Sequence, residues 1–238
     1  MIVQVLNILR FFTWIDKKTV DRHFTENIAA WKRYYVTLDK YITNQPDLTI
    51  LSYGKFSWLW DRLIRKTGTA LTADFNTCEV IAVMNALISL GVEKNAYMFP
   101  NLLKHFEKKH GLILRGYFGT APAALWKYLK KRQLNLKFIR PVELVENTSQ
   151  IKEGNARTNS NNQLKHNIQV EKTYIVIFQN NRKDLSQGIH TMCMQVDTNG
   201  SRLLNDYAGN RYYASEIDAL KAYNKGAAKL LQMVELSK

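Results

Sequence analysis

The sequence predicts a protein of mixed helices and antiparallel strands, helical at its start and stranded at its end. Three observations predict it. The first 70 residues are rich in aromatics and read as mainly helical. The segment Ala73 to Gly91 (ADFNTCEVIAVMNALISLG) is apolar almost all round, as a helix running through the middle of a domain is. From Thr173 to Leu204, short β-branched runs alternate with turn residues, the pattern of antiparallel strands.

The chain has 238 residues, enough for one large domain or two small ones. Its hydrophobic content of 46% supports a real core and excludes long disorder as the main state. Lys and Arg outnumber Asp and Glu by 34 to 20, a net charge of +14 that attracts phosphate, acidic peptides or anionic surfaces. Two cysteines, Cys78 and Cys193, are too few for a disulfide framework. No apolar run reaches the ~18 residues that cross a bilayer.

The opening MIVQVLNILRFF is not expected to be an export signal. No charge precedes its apolar stretch, Gln4 and Asn7 interrupt it and Arg10 closes it. Ile2, Leu6 and Leu9 fall at helical spacing, which predicts a short amphipathic helix packed on the body. With two free thiols and no such signal, the expected location is the cytoplasm. Asn44-Gln45-Pro46-Asp47 is a turn. Glu146 to Asn167 is polar almost throughout and is expected to be a mobile surface insertion. The expected division is a helical extension over 1–50 and a main domain over 51–238, with the insertion at about 146–167.

Asn76-Thr77-Cys78-Glu79 has the form of a capping box, and Gly91 is a natural helix stop. Cys78 then lies in the first turn, where the helix dipole favours an anion and depresses a thiol pKa. The free N–H groups of that turn suit a developing oxyanion. The competing reading is a small buried residue, a common fate of cysteine.

Gly188 to Val196 reads as a strand that His190 opens. Asp197-Thr198-Asn199-Gly200 turns the chain, and Ser201 to Leu204 returns, ending at Asn205-Asp206-Tyr207. With Thr198 and Asn199 at the centre, residues whose numbers sum to about 397 pair. His190 then faces the region just past Asn205, and a slip of one residue decides whether Asn205 or Asp206 shares its face. Cys, His and Asn or Asp are the set for thiol acyl transfer: nucleophile, proton carrier and orienting group. On a strand, the spacing of three sends His190 and Cys193 to opposite faces, so no metal site is expected and Cys193 reads as core. No cofactor is expected either. His105 and His110 in KHFEKKHG read as a solvated helix end.

These residues carry a resemblance. The helix opened by Cys78 is followed by the helical segment Phe99 to Lys109. Next come Leu114-Arg115-Gly116-Tyr117-Phe118-Gly119-Thr120-Ala121-Pro122 and the helix Ala123 to Lys131. The His190 strand and the Asn205-Asp206 turn complete the order. Over about residues 50 to 215 the chain resembles a papain-like cysteine peptidase, similar to the bacterial bacteriocin-processing group. The resemblance implies an α+β fold, with the Cys helix packed on a twisted antiparallel sheet that carries His. It implies Cys78 as nucleophile and His190 as general base and acid, with Asp206 the first choice of orienting residue and Asn205 the second. Such enzymes usually place a Gln a few residues before the Cys. Here no Gln lies between Pro46 and Cys78, and Asn76 and Thr72 are the candidates for completing the oxyanion hole.

The expected partner is a peptide or protein substrate, with an acidic one suited to the charge. Three other readings compete: an amidase or acyltransferase with the same thioester chemistry, a catalytically silent papain-like binding domain, and a nucleic-acid binder. The basic residues are scattered, as in KHFEKKH and KYLKKR, without interleaved aromatics, so nucleic acid is not the expected partner.

Overall fold

In the computed structural model, residues 2–10, 14–34, 41–65, 71–92, 95–139, 170–180, 188–206 and 211–238 are described. The polar stretch at 146–167 lies outside them. The spacing of Ile2, Leu6 and Leu9 makes helix α1 (Ile2–Leu9). Leu6 is buried, and Ile2 and Leu9 pack beside it on the same cluster as Tyr117 and Ala121. Helix α2 (Lys17–Tyr34) is capped by Asp16, whose carboxylate accepts the Thr19 N–H at 2.9 Å.

Beyond a short helical turn, α3 (Trp58–Trp60), come α4 (Ala73–Asn76), α5 (Cys78–Ser89), α6 (Met98–Lys108) and α7 (Pro122–Lys131). Proline opens α7, and the Asn7 carboxamide oxygen accepts the Ala123 N–H at 2.8 Å. The polar residue that interrupts the apolar N-terminus thus satisfies a free donor at another helix's start. The last helix, α8 (Glu216–Ala222), is capped by the Ser215 hydroxyl.

Among the described residues, five strands form one antiparallel sheet: β1 (Asn135–Ile139), β2 (Val170–Gln179), β3 (Ile189–Asp197), β4 (Gly200–Leu204) and β5 (Lys229–Ser237), in the order β1-β5-β2-β3-β4. The β3–β4 register pairs Cys193 with Leu204 and Met194 with Leu203, the sum of 397 that the turn predicts. Alternation sorts side chains between two layers. Leu204, Cys193, Ile175 and Val234 form a row across four strands and enter the core that holds α5. Met192, Val176 and Met233 face the other way, toward Ala219 of α8 and Tyr223. Every side chain from Cys78 to Leu87 is buried, as the apolar sequence demands. At ~1.5–3 kcal/mol for each large aliphatic, this helix is a principal source of stability.

Thr77 (φ −113°, ψ 13°) separates α4 from α5, so α5 starts at Cys78, where the sequence places the first turn. Residues on both sides of position 50 share one core. Ile15, Val20, Trp31, Ile42 and Leu48 belong to the same core as α5, and Trp31 packs on Phe99 of α6 with ring centroids 5.2 Å apart. Carboxamides tie this segment down. Asn85 of α5 accepts the Ile42 N–H at 2.9 Å and donates to the Ile42 carbonyl at 2.8 Å. Asn27 treats Ser52 in the same way, at 2.8 and 2.9 Å. No described helix is long and apolar enough to cross a membrane.

Candidate active site

Cys78 is the first residue of α5, as the sequence suggests, but the capping box is not formed. The Thr77 hydroxyl turns back to the Ala73 carbonyl. The Asn76 amide nitrogen donates to the carbonyls of Gly116 at 2.7 Å and Tyr53 at 3.1 Å. Both its N–H groups are thereby committed, so Asn76 has no donor left for an oxyanion. Thr72 precedes α4 and pairs through its backbone with Ser52.

Glu79, read from sequence as the capping carboxylate, is instead buried beside Cys78. Its carboxyl draws on its own backbone N–H, on that of Thr120 and on the Cys78 thiol. Gly119 (φ +70°) leaves the space: a Cβ there would stand 2.5 and 2.7 Å from the two carboxyl oxygens. Burial, only partly offset by these bonds, raises Glu79 to about 7. Burial also pushes the Cys78 thiol up, and the Glu79 charge adds to the push. The depression expected from the helix start is therefore reversed. Above Glu79, the Tyr53 hydroxyl bonds the Thr120 hydroxyl at 2.7 Å.

His190 is the second residue of β3 and pairs with Phe178. Its ring stacks on Tyr223, centroids 6.0 Å apart at 17°, and its Nε2 lies 2.7 Å from the Asn205 carbonyl oxygen. A carbonyl only accepts, so Nε2 carries the hydrogen and Nδ1 keeps a lone pair. The bond made by Nε2 is thus a main-chain one. The Asn205 carboxamide is engaged elsewhere: its oxygen accepts the Gln45 N–H at 2.9 Å and its nitrogen donates to Gln45 Oε1 at 3.2 Å. Gln45 in turn donates from Nε2 to the Asp74 carbonyl of α4 at 2.8 Å. Asn205 adopts φ +72°, a conformation Asn tolerates. Asp206 follows it and is buried.

Cys78 and His190 approach β3 from different sides. The ring shares the face of Phe178 and Tyr223, while α5 packs on the opposite one with Cys193. The two groups address neighbouring residues at one edge. The β3–β4 ladder stops at Cys193 and Leu204, so Thr191 lies past its end. The Thr191 N–H is directed at the Cys78 sulfur.

Sequence reasoning missed Glu79's role, Gln45, Tyr223 and the Thr191 N–H. Glu79 had a signal: a carboxylate inside an otherwise apolar helix must be housed by something. Gln45 had none, since it stands 33 residues before Cys78. No protein-family model, no curated protein and no solved structure matches the chain.

Proposed function

We propose that the chain is a cysteine peptidase that cleaves a peptide bond by thiol acyl transfer, with Cys78 as nucleophile and His190 as proton carrier. The observation that carries this reading is that the two groups address adjacent residues at the end of one strand. The Cys78 sulfur faces the Thr191 N–H, and the preceding residue is a histidine whose Nε2 donates to a carbonyl, which makes Nδ1 the basic nitrogen of the ring.

The thiol proton passes to Nδ1 as sulfur attacks the peptide carbonyl. First-turn N–H groups of α5 receive the oxyanion. The tetrahedral adduct collapses, Nδ1 returns the proton to the departing amine, and a thioester remains. Water, deprotonated by Nδ1, then attacks the thioester. A carboxylic acid leaves and the thiol is restored. The Asn205 carbonyl holds the ring throughout. The resting thiol is neutral, so proton transfer accompanies attack rather than preceding it.

A catalytically silent papain-like binding domain is the second reading. The burial of the thiol and the placement of the ring on the sheet face away from α5 favour it. An amidase or acyltransferase would use the same steps on a different leaving group.

The test is turnover of a fluorogenic peptide library with the wild type, Cys78→Ala and His190→Ala. Each variant is expected to lose activity by ~10³-fold or more, and the double variant to lose no more than either alone. Asn205→Ala leaves the carbonyl acceptor in place and is expected to cost less. Folded wild type with no turnover on any peptide or amide, and no thiol acylation, identifies the silent domain.

A further inference from the structure

His105 and His110, read from sequence as a solvated helix end, line a cavity of about 470 Å³. Its wall also carries Arg10, just past α1, Lys109, just past α6, and Lys127 and Lys131 of α7. None of Cys78, His190 and Asn205 lines it. Lys127 and Lys131 are four residues apart and so lie on one stripe of their helix. Among the described residues, no carboxylate stands on the wall. Among the described residues, none comes within salt-bridge distance of Lys109, Lys127 or Lys131. Surface lysines elsewhere do find carboxylates: Lys55 meets Asp16 at 2.7 Å and Lys104 meets Asp21 at 3.3 Å.

Helix dipoles explain only part of this gathering. Lys131 sits in the last turn of α7, where a cation is favoured, but Lys127 stands in mid-helix. Beside Arg10, three lysines from two helical segments converge on one hollow, where they repel one another unless an anion comes between them. The floor is not a bare charge patch. The Tyr128 side chain is buried, with the His105 ring edge-on to it at 4.7 Å between centroids. Burial, and then the charges of Lys109, Lys131 and Arg132, push His105 down to about 4. The ring is neutral at pH 7 and so adds a polar, uncharged contact beneath the cations. The volume falls within the ~300–1,000 Å³ of small-molecule sites and exceeds what a single inorganic anion fills.

We propose that this cavity binds a small organic molecule carrying clustered phosphates, of the size of a nucleoside diphosphate or triphosphate. The ammonium groups hold the phosphates, and the Tyr128 and His105 floor takes the organic portion.

Calorimetric titration of the full chain with ATP, pyrophosphate and adenosine tests this. ATP is expected to bind with a dissociation constant below ~1 mM, pyrophosphate more weakly and adenosine not measurably. Added salt weakens the ATP interaction as the lysines are screened. Lys127→Glu with Lys131→Glu should weaken ATP by about tenfold or more. Lys18→Glu with Lys229→Glu, the same change of charge at exposed positions off the cavity wall, should leave it nearly unaltered. Circular dichroism checks each fold, and Lys127→Gln with Lys131→Gln replaces the Glu pair if that pair unfolds. Four results overturn the proposal: no ATP binding, equal loss in the control pair, adenosine binding as tightly as ATP, or a short single-stranded oligonucleotide binding through these lysines while ATP does not.

Discussion

The carboxyl of Glu79 shapes the chemistry of its neighbour more than the helix dipole does. A first-turn position stabilises a thiolate only where solvent or a cation shares the charge, and Cys78 has burial and a carboxylate instead. Glu79→Gln removes the charge and keeps the shape. The variant should alkylate faster at Cys78 with iodoacetamide at pH 8, while Cys193, fully buried, stays unlabelled in both proteins. The same substitution has a signature in stability. The folded pKa of Glu79 is raised from 4.5 to about 7, so its favourable contribution is complete below pH 4.5 and is lost as pH rises toward 7. The loss is about 3 kcal/mol over that window. Urea unfolding at pH 5 and pH 8 should show the wild type losing stability relative to Glu79→Gln by about that amount. An unchanged difference between the two proteins would mean that the carboxyl is not held in the neutral form. Sequence located this residue but misassigned it. Ser/Thr/Asn followed by Glu three positions on describes a capping box only when the carboxylate stays at the helix end. Here Gly119, 40 residues away, provides the hollow that draws it inward.

Elements whose partners are close in sequence were legible; those with distant partners were not. The hairpin of β3 and β4 followed from its turn, down to the register, because a two-residue loop leaves the pairing little freedom. Strand β5 carries no such signal. Its run KLLQMVELS mixes charged and apolar residues, yet it lies between β1 and β2. Long-range pairing of that kind is settled by the sheet as a whole. The Gly119-Thr120 approach to α5 is likewise a meeting of remote segments, and it can be measured as a coupling. Gly119→Ala meets both a positive φ and the Glu79 oxygens, and should cost about 2–4 kcal/mol. In a Glu79→Ala background the clash is gone and only the backbone cost of roughly 1–3 kcal/mol remains. A double-mutant cycle by thermal or urea unfolding should therefore show a coupling of about 1–2 kcal/mol. Strict additivity would place the carboxyl elsewhere.

Across the whole molecule, the N-terminal helices and the sheet-bearing half share one apolar interior. Trp31, Ile42 and Leu48 are buried against α5 and α6, so a chain beginning at Leu51 exposes those surfaces. Such a truncation should fail to give a cooperative unfolding transition by circular dichroism, whereas a true extension could be removed with little effect. The order of helix, strand and site residues was readable from sequence because each carries its own local pattern. The sidedness of the ring against α5 was not, because it depends on which face of the sheet the helix covers. The carboxamide bonds made by Asn27, Asn85 and Asn205 have a consequence in time as well as in energy. Each holds a backbone amide of the segment between residues 42 and 52, at Ser52, Ile42 and Gln45. Irregular segments ordinarily trade their amide protons with solvent by opening on their own. Here the held amides at residues 42, 45 and 52 can open only by parting from α5, from the end of β4 and from α2. Their deuterium uptake should follow the clock of the core rather than that of a loop.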